Sequence, residues 1–301
     1  MKNKRPPFAH PLKMQGFSLI EFLIASALSM IVLIAVTSTY FTARNLNDAA
    51  TSRLSTQQDL RSASTLLVRD ARMAGSFGCF NMANYAHTTV VADDSKAPFA
   101  LRSNIVNGKM VPISKGIIGY SGFSQTGDAL LFQYGTDASG SNANIASSCT
   151  SIAKSANITD LPTAKSALKI TDDKKNGAIS MLQHIVFAYT VGSFNKQEGL
   201  YRFQLNNETG NWDDPQLLMR DINSMSISYL YIDNTNNCKN PADSSSQETF
   251  RRENTLRKKT ESDNDGTTPA LIQIQLSDNK ENTYNIEAAV RGGNVCANHS
   301  I

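Results

Sequence analysis

Few residues in this chain have the types and spacing that chemistry requires. Glu21 stands out, because it is the sole charged residue between Phe17 and Ala43. A carboxylate inside a 27-residue apolar run is costly and normally has a partner. Glu21 follows Gly16 by five positions, behind a leader that carries Lys2, Lys4, Arg5 and Lys13. The four cysteines, Cys79, Cys149, Cys238 and Cys296, form no CxxC pair, so the spacing of a zinc site is missing. His10 precedes the apolar run, and His184 sits in MLQHIVF, which reads as a strand. No HExxH, GxSxG, P-loop or GxGxxG run occurs. SDNDG, from Ser262 to Gly266, has two acids beside a glycine but lacks the further ligands of a calcium loop. The expectation is a chain with no catalytic residue, no metal site and no cofactor.

The elements that hold these residues are legible in outline. From Phe17 no Gly or Pro occurs before Gly75, so nothing breaks a helix. Residues 17–43 exceed the ~20 needed to cross a bilayer. The basic residues precede the span, which predicts a cytoplasmic N-terminus with the rest of the chain across the membrane. A secretory signal peptide would have a shorter apolar stretch and a cleavage site after it, whereas TYFTARNLNDAA reads on as helix. In residues 44–75, Leu46, Ala50, Leu54, Leu60, Leu67, Val68, Ala71 and Ala74 recur mostly at helical spacing, with charged and polar residues between them. This predicts an amphipathic helix with one face available to a domain, ended by Gly75 and Gly78.

Residues 76–301 read as strands and loops. DALLFQYG, ISMLQHIVFAYTVG, GLYRFQLN, INSMSISYLYID, ALIQIQLS and TYNIEAAV are the strand candidates. SFNKQE is the expected hairpin connection between the second and third. Met225, Ile227, Tyr229 and Tyr231 alternate onto one face, as do Ile272, Ile274 and Leu276. Such alternation suits an antiparallel sheet covered on one side. Segments 136–165 and 233–269 are polar and read as loops. The second holds a basic cluster of Arg251, Arg252, Arg257, Lys258 and Lys259, diluted by Glu253 and Glu261 and without an aromatic platform beyond Phe250. Without the four basic residues of the leader, the net charge of +3 becomes −1. Nucleic acid is therefore not an expected partner.

KMQGFSLIEF resembles the class III leader of type IV prepilins: a short basic stretch ending in Gly, an aromatic residue, three more residues and Glu. LLVRDARMAGSFGC resembles the end of the helix in the PilW family of minor pilins, where a run of the form RD-x-R-x-AG-x-x-GC closes it. GLYRFQL, LLMRDINSMSISYLYID and YNIEAAVRGGN resemble later strands of that family. The resemblance implies cleavage between Gly16 and Phe17 by a prepilin peptidase, N-methylation of Phe17, and a role for Glu21 in filament assembly. It implies a type IV pilin-like α+β fold, a long N-terminal α-helix packed on an antiparallel β-sheet globular domain. The parts would be a leader (1–16), a transmembrane and filament-core half of the helix (17–43), its amphipathic half (44–75) and a periplasmic β-rich domain (76–301).

The implied function is that of a minor pilin, helping to start pilus assembly at the tip with other minor pilins, the major pilin and a PilY-type adhesin. The chain would sit in the inner membrane before assembly and in the surface fibre after it. A minor pseudopilin of a type II secretion system shares the leader and helix. A pilus-borne adhesin or DNA-uptake subunit is the reading that the two unmatched loops would support. Beyond the membrane the cysteines would be oxidised. Of the three pairings possible, Cys79–Cys149 with Cys238–Cys296 is expected, because each joins sequence neighbours; four buried thiols are the alternative.

Overall fold

The computed structural model describes residues 18–83, 89–94, 96–99, 105–106, 109–110, 113–138, 142–156, 158–171, 177–233, 249–256 and 268–291. The chain is α+β. Helix α1 spans Leu19–Met73, and the chain divides inside it into two compact units, Met1–Ser55 and Thr56–Ile301. In the first unit every described residue of α1 is exposed, from Leu19 and Phe22 to Leu46 and Leu54. Burial starts only in the second unit. Ala63, Leu67, Ala71 and Ala74 are fully buried there.

Gly75 ends α1 with φ +77°, a left-handed conformation that a residue with Cβ adopts at a cost. The chain then forms strands β1 (Ser76–Phe77) and β2 (Phe80–Asn81), followed by β3 (Val90–Ala92), β4 (Ile105–Val106), β5 (Lys109–Met110) and β6 (Ile113–Gly116). The central strands are β7 (Phe123–Asp137) and β10 (Ser180–Phe194). Between them lie β8 (Ile145–Ser147), β9 (Ile152–Lys154) and helix α2 (Leu161–Ala167). After them come β11 (Gln197–Gln204), β12 (Gln216–Arg220), β13 (Ile222–Asp233), β14 (Thr249–Glu253), β15 (Leu271–Asp278) and β16 (Thr283–Ala289).

An eight-stranded sheet is built on β10, flanked by β7 on one side and by β11 and β8 on the other. It continues through β6, β12, β9 and β3, and all its pairings are antiparallel except β3 with β9. A second, antiparallel sheet has the order β14-β13-β15-β16. The two segments read as loops are partly regular: 136–165 contains β8, β9 and the start of α2, and 233–269 contains β14. Short elements inside polar sequence leave too few apolar positions for a period to show.

One core joins the second-unit part of α1 to both sheets. It holds Leu67 and Ala71 from the helix, Phe132, Tyr134, Phe187 and Tyr189 from the large sheet, and Ile227, Tyr229, Ile272 and Ile274 from the small one. The alternation read in β13 and β15 is the core face, with Met225 partly buried at its edge. On the other face of the large sheet Val186, Ala188, Tyr201 and Phe203 form a separate cluster. The β10–β11 hairpin turns on Asn195 and Lys196, both left-handed. That is the two-residue geometry whose twist matches the strands it joins.

A carboxylate sits within the main core. Asp70 has no exposed surface. Its Oδ1 accepts from Tyr134 Oη (3.0 Å) and from Arg69 Nε and Nη2 (3.1 and 3.0 Å). Its Oδ2 accepts from Tyr189 Oη (2.5 Å) and Arg202 Nη2 (2.8 Å). The Arg202 guanidinium lies over the Phe187 ring, 3.4 Å from its centroid. Burial, and then the charge of Asp70, raise the pKa of both tyrosines, so their hydroxyls stay protonated as donors. Helix, β7, β10 and β11 thus meet at one carboxylate. Asp70→Asn leaves the Arg202 guanidinium, which is mostly buried, without its counter-charge. The expected loss is about 3–5 kcal/mol, against ~1 kcal/mol for Tyr134→Phe. Urea unfolding of the detergent-solubilised variants measures both; a loss below about 1 kcal/mol for Asp70→Asn would show that the clamp adds little.

Candidate functional site

Glu21 is exposed, one turn into α1. Ser18, just before the first helical residue, donates its backbone N–H to Glu21 Oε2 at 3.0 Å. This is the back-reaching half of a capping box: the carboxylate satisfies a helix-end donor that has no partner inside the helix. Its charge also faces the positive end of the helix dipole. The single acid in the apolar run therefore has a partner within its own chain. One of its carboxylate oxygens makes that bond, and an exposed carboxylate keeps acceptor capacity for a second donor. Gly16 and Phe17 lie outside the described residues.

Around Glu21 the surface is apolar. Phe22, Leu23, Met30, Ile31 and Leu33 are all more than half exposed. This is one helix long and apolar enough to cross a membrane, and none of that window is buried. Side chains of this kind need hydrocarbon or other helices around them.

Cys79 and Cys149 are bridged, joining the β1–β2 hairpin to the turn between β8 and β9 across 70 positions of sequence. Cross-linking a loop of that length stabilises the folded chain by about 4 kcal/mol on the chain-entropy estimate. Cys238 and Cys296 lie outside the described residues, as do Arg257, Lys258, Lys259 and the SDNDG segment. Arg251 and Arg252 lie on β14, which pairs only with β13 among the described residues. Among the described residues no group of His, Cys, Asp and Glu could hold a metal ion.

Two polar centres escaped the reading of the sequence. Asp70 stands three residues from Leu67, four from Ala74 and seven from Ala63, which is core spacing on a helix. A charge at that spacing is the signal that was available. In RDARMAGSFGC, Asp70 clamps the helix, Gly75 and Gly78 take positive φ, and Cys79 enters the bridge.

The second centre is Lys154, at the end of β9 and almost fully buried. Its Nζ donates to Ala97 O (2.5 Å) and Asn207 Oδ1 (3.0 Å), and lies 3.0 Å from His184 Nδ1. Asn207 Nδ2 donates to His184 O, and the His184 N–H donates to Asn144 Oδ1. Phe77 and Phe99 pack on the His184 ring. Burial, then the Lys154 charge, hold His184 well below its ordinary pKa, so it is neutral and accepts from the ammonium. His184 is the strand residue that the sequence suggested.

No protein-family model matches the chain, and no curated protein matches it significantly. The architecture is nonetheless pilin-like: a long apolar N-terminal helix followed by an antiparallel β-sheet domain that packs on the helix from Thr56 onward.

Burial lowers the Lys154 pKa to about 8, against the pull of Asp94 and Asp93. An unfolded lysine titrates near 10.4. Between these values the unfolded chain binds a proton that the folded chain does not, so stability rises with pH across that window. From about pH 8 to about pH 9, before the tyrosines of the unfolded chain begin to titrate near pH 10, the expected gain is roughly 1 kcal/mol. Lys154→Met should abolish that slope. Chemical denaturation at the two pH values checks it, and an equal slope in both proteins would place Lys154 in a wetter setting.

Proposed function

We propose that this chain is a PilW-like minor pilin of a type IV pilus. One observation carries the reading: the described part of the apolar span is exposed throughout and bears a single charge, Glu21, at the helix start, while the same helix is bonded into a β-sheet core from Thr56 onward. A solvent-facing purpose does not account for such a helix. A span that waits in the inner membrane and later packs among like helices does. In that reading prepilin peptidase cuts after Gly16, and Phe17 becomes a methylated amine one turn from Glu21. An amine on one chain and a carboxylate on its neighbour then offset each other's desolvation, and wrong registers leave both unpaired. The periplasmic domain would be presented at or near the fibre tip, with other minor pilins, the major pilin and a PilY-type adhesin.

The mature N-terminus is expected to be methylated Phe17, read by mass spectrometry of chain purified from cells with a prepilin peptidase. A terminus beyond Val36 would make the span a secretory signal.

Glu21→Ala should leave the chain in the membrane, because the span only becomes more apolar. It should deplete the chain from sheared pili, since an unpaired buried amine costs about 3–5 kcal/mol where burial is deep. Glu21→Gln keeps a helix-capping acceptor but loses the charge. It separates the two duties of the side chain, and depletion close to that of Glu21→Ala assigns the defect to charge pairing. Normal incorporation of both variants would leave the intrachain cap as the whole purpose of Glu21.

A further inference from the structure

A cleft of about 550 Å³ opens where β9, the start of β10 and the end of β11 come together. It has the volume of a small-ligand site. Two-fifths of its wall comes from 142–144 and 154–156, inside the segment 136–165. The rest comes from Gln183, Gln204, the turn at 206–208, Asp213, and Asp94 with Lys96.

The chemistry of the lining is selective. Leu205 is its only large apolar residue and no aromatic side chain lines it, so neither a peptide anchor nor a stacked base has a seat. Three carboxylates, Asp94, Glu208 and Asp213, outnumber two ammonium groups, Lys96 and Lys154. Both lysines already donate to carbonyl oxygens, Lys96 to Glu208 O and Lys154 to Ala97 O and Asn207 Oδ1. Three carboxylates against two ammonium groups leave the lining net negative, which disfavours an anion even though Lys96 keeps donors beyond its bond to Glu208 O. Asn142, Gln183, Gln204 and Asp213 are exposed, and their side chains make no hydrogen bond among the described residues. Amides that both donate and accept, beside an accepting carboxylate, match adjacent hydroxyl groups.

The floor is fixed. Lys154 ties Ala97, His184 and Asn207 together, and Asn144 is tied to the His184 backbone. The turn is closed by Asn206 N–H to Asn211 O and by Asp213 N–H to Gln204 O. A buried ammonium without a carboxylate in contact is a poor stabiliser of a fold. It is well suited to hold three walls of a site in place, with its own donors used up.

We propose that this cleft binds a neutral saccharide, with Gln204, Gln183 and Asp213 as the hydroxyl-reading residues and Lys154 as a positioning residue. The proposal goes beyond the assembly role and stands or falls independently of it.

The chain has one tryptophan, Trp212, next to Asp213 and paired with Leu205 of the cleft wall. Its emission is the reporter. The full chain, held in a zwitterionic detergent free of sugar, is titrated with D-galactose, D-mannose and N-acetyl-D-glucosamine, and separately with inorganic phosphate and glycerol. At least one sugar should give a saturable change in the millimolar range. Gln204→Ala and Asp213→Asn should each weaken it about tenfold, the loss of roughly one hydrogen bond. Both substitutions are at exposed side chains, and an unchanged melting temperature verifies the fold. If one variant fails to fold, the other decides. No saturable response to any of the three sugars, undiminished affinity in the variants, or saturation by phosphate or glycerol as well as by sugar overturns the proposal.

Discussion

The domain is organised around a buried negative charge. Asp70 faces the core from the helix, and donors from three strands converge on it. An apolar residue at that position would pack, but it would not choose among registers. Leu67 and Ala71 can slide along a greasy sheet at small cost, whereas a carboxylate is satisfied only where two tyrosine hydroxyls and a guanidinium coincide. The clamp thus fixes how far along the helix the sheet is attached, and with it the number of residues that separate Glu21 from the core. Its net contribution to stability is smaller than the cost of breaking it, because the charges were desolvated to make it.

The same economy appears at Lys154. Both centres bury a charge at a junction between elements distant in sequence. They differ in compensation. Asp70 meets cations, while Lys154 meets carbonyl oxygens and an imidazole. That difference is why one centre reads as a fold anchor and the other as the base of a site.

Much of the fold was legible in the residues. The unbroken run from Phe17, Gly75 as its stop, and the alternation of Ile227 with Tyr229 and of Ile272 with Ile274 all come from periods that one element imposes on its own sequence. Asp70 was passed over because only the partners Tyr189 and Arg202, far along the chain, turn an acid on a helix into a clamp. Strand β12 was likewise passed over. The strand candidate INSMSISYLYID starts after Asp221, but nothing in LLMR shows that it forms β12, or that the left-handed Asp221 sends the two strands to different sheets. The cleft was hidden for a further reason. Its walls come from segments whose polar composition resembles loop, and no local pattern records that they meet.

The distances along the chain that separate the partners of Asp70 set an order on its making. Tyr134 follows it by 64 residues, Tyr189 by 119 and Arg202 by 132. Helix α1 therefore leaves the ribosome before all three, and its docking point is incomplete until Arg202 has been synthesised. The β10–β11 hairpin needs only its own turn and can form locally, but the contacts that capture the helix are all non-local. Until then Asp70 and the apolar stripe beside it stay uncovered, and the nascent chain carries an open adhesive face for the time taken to add more than a hundred residues.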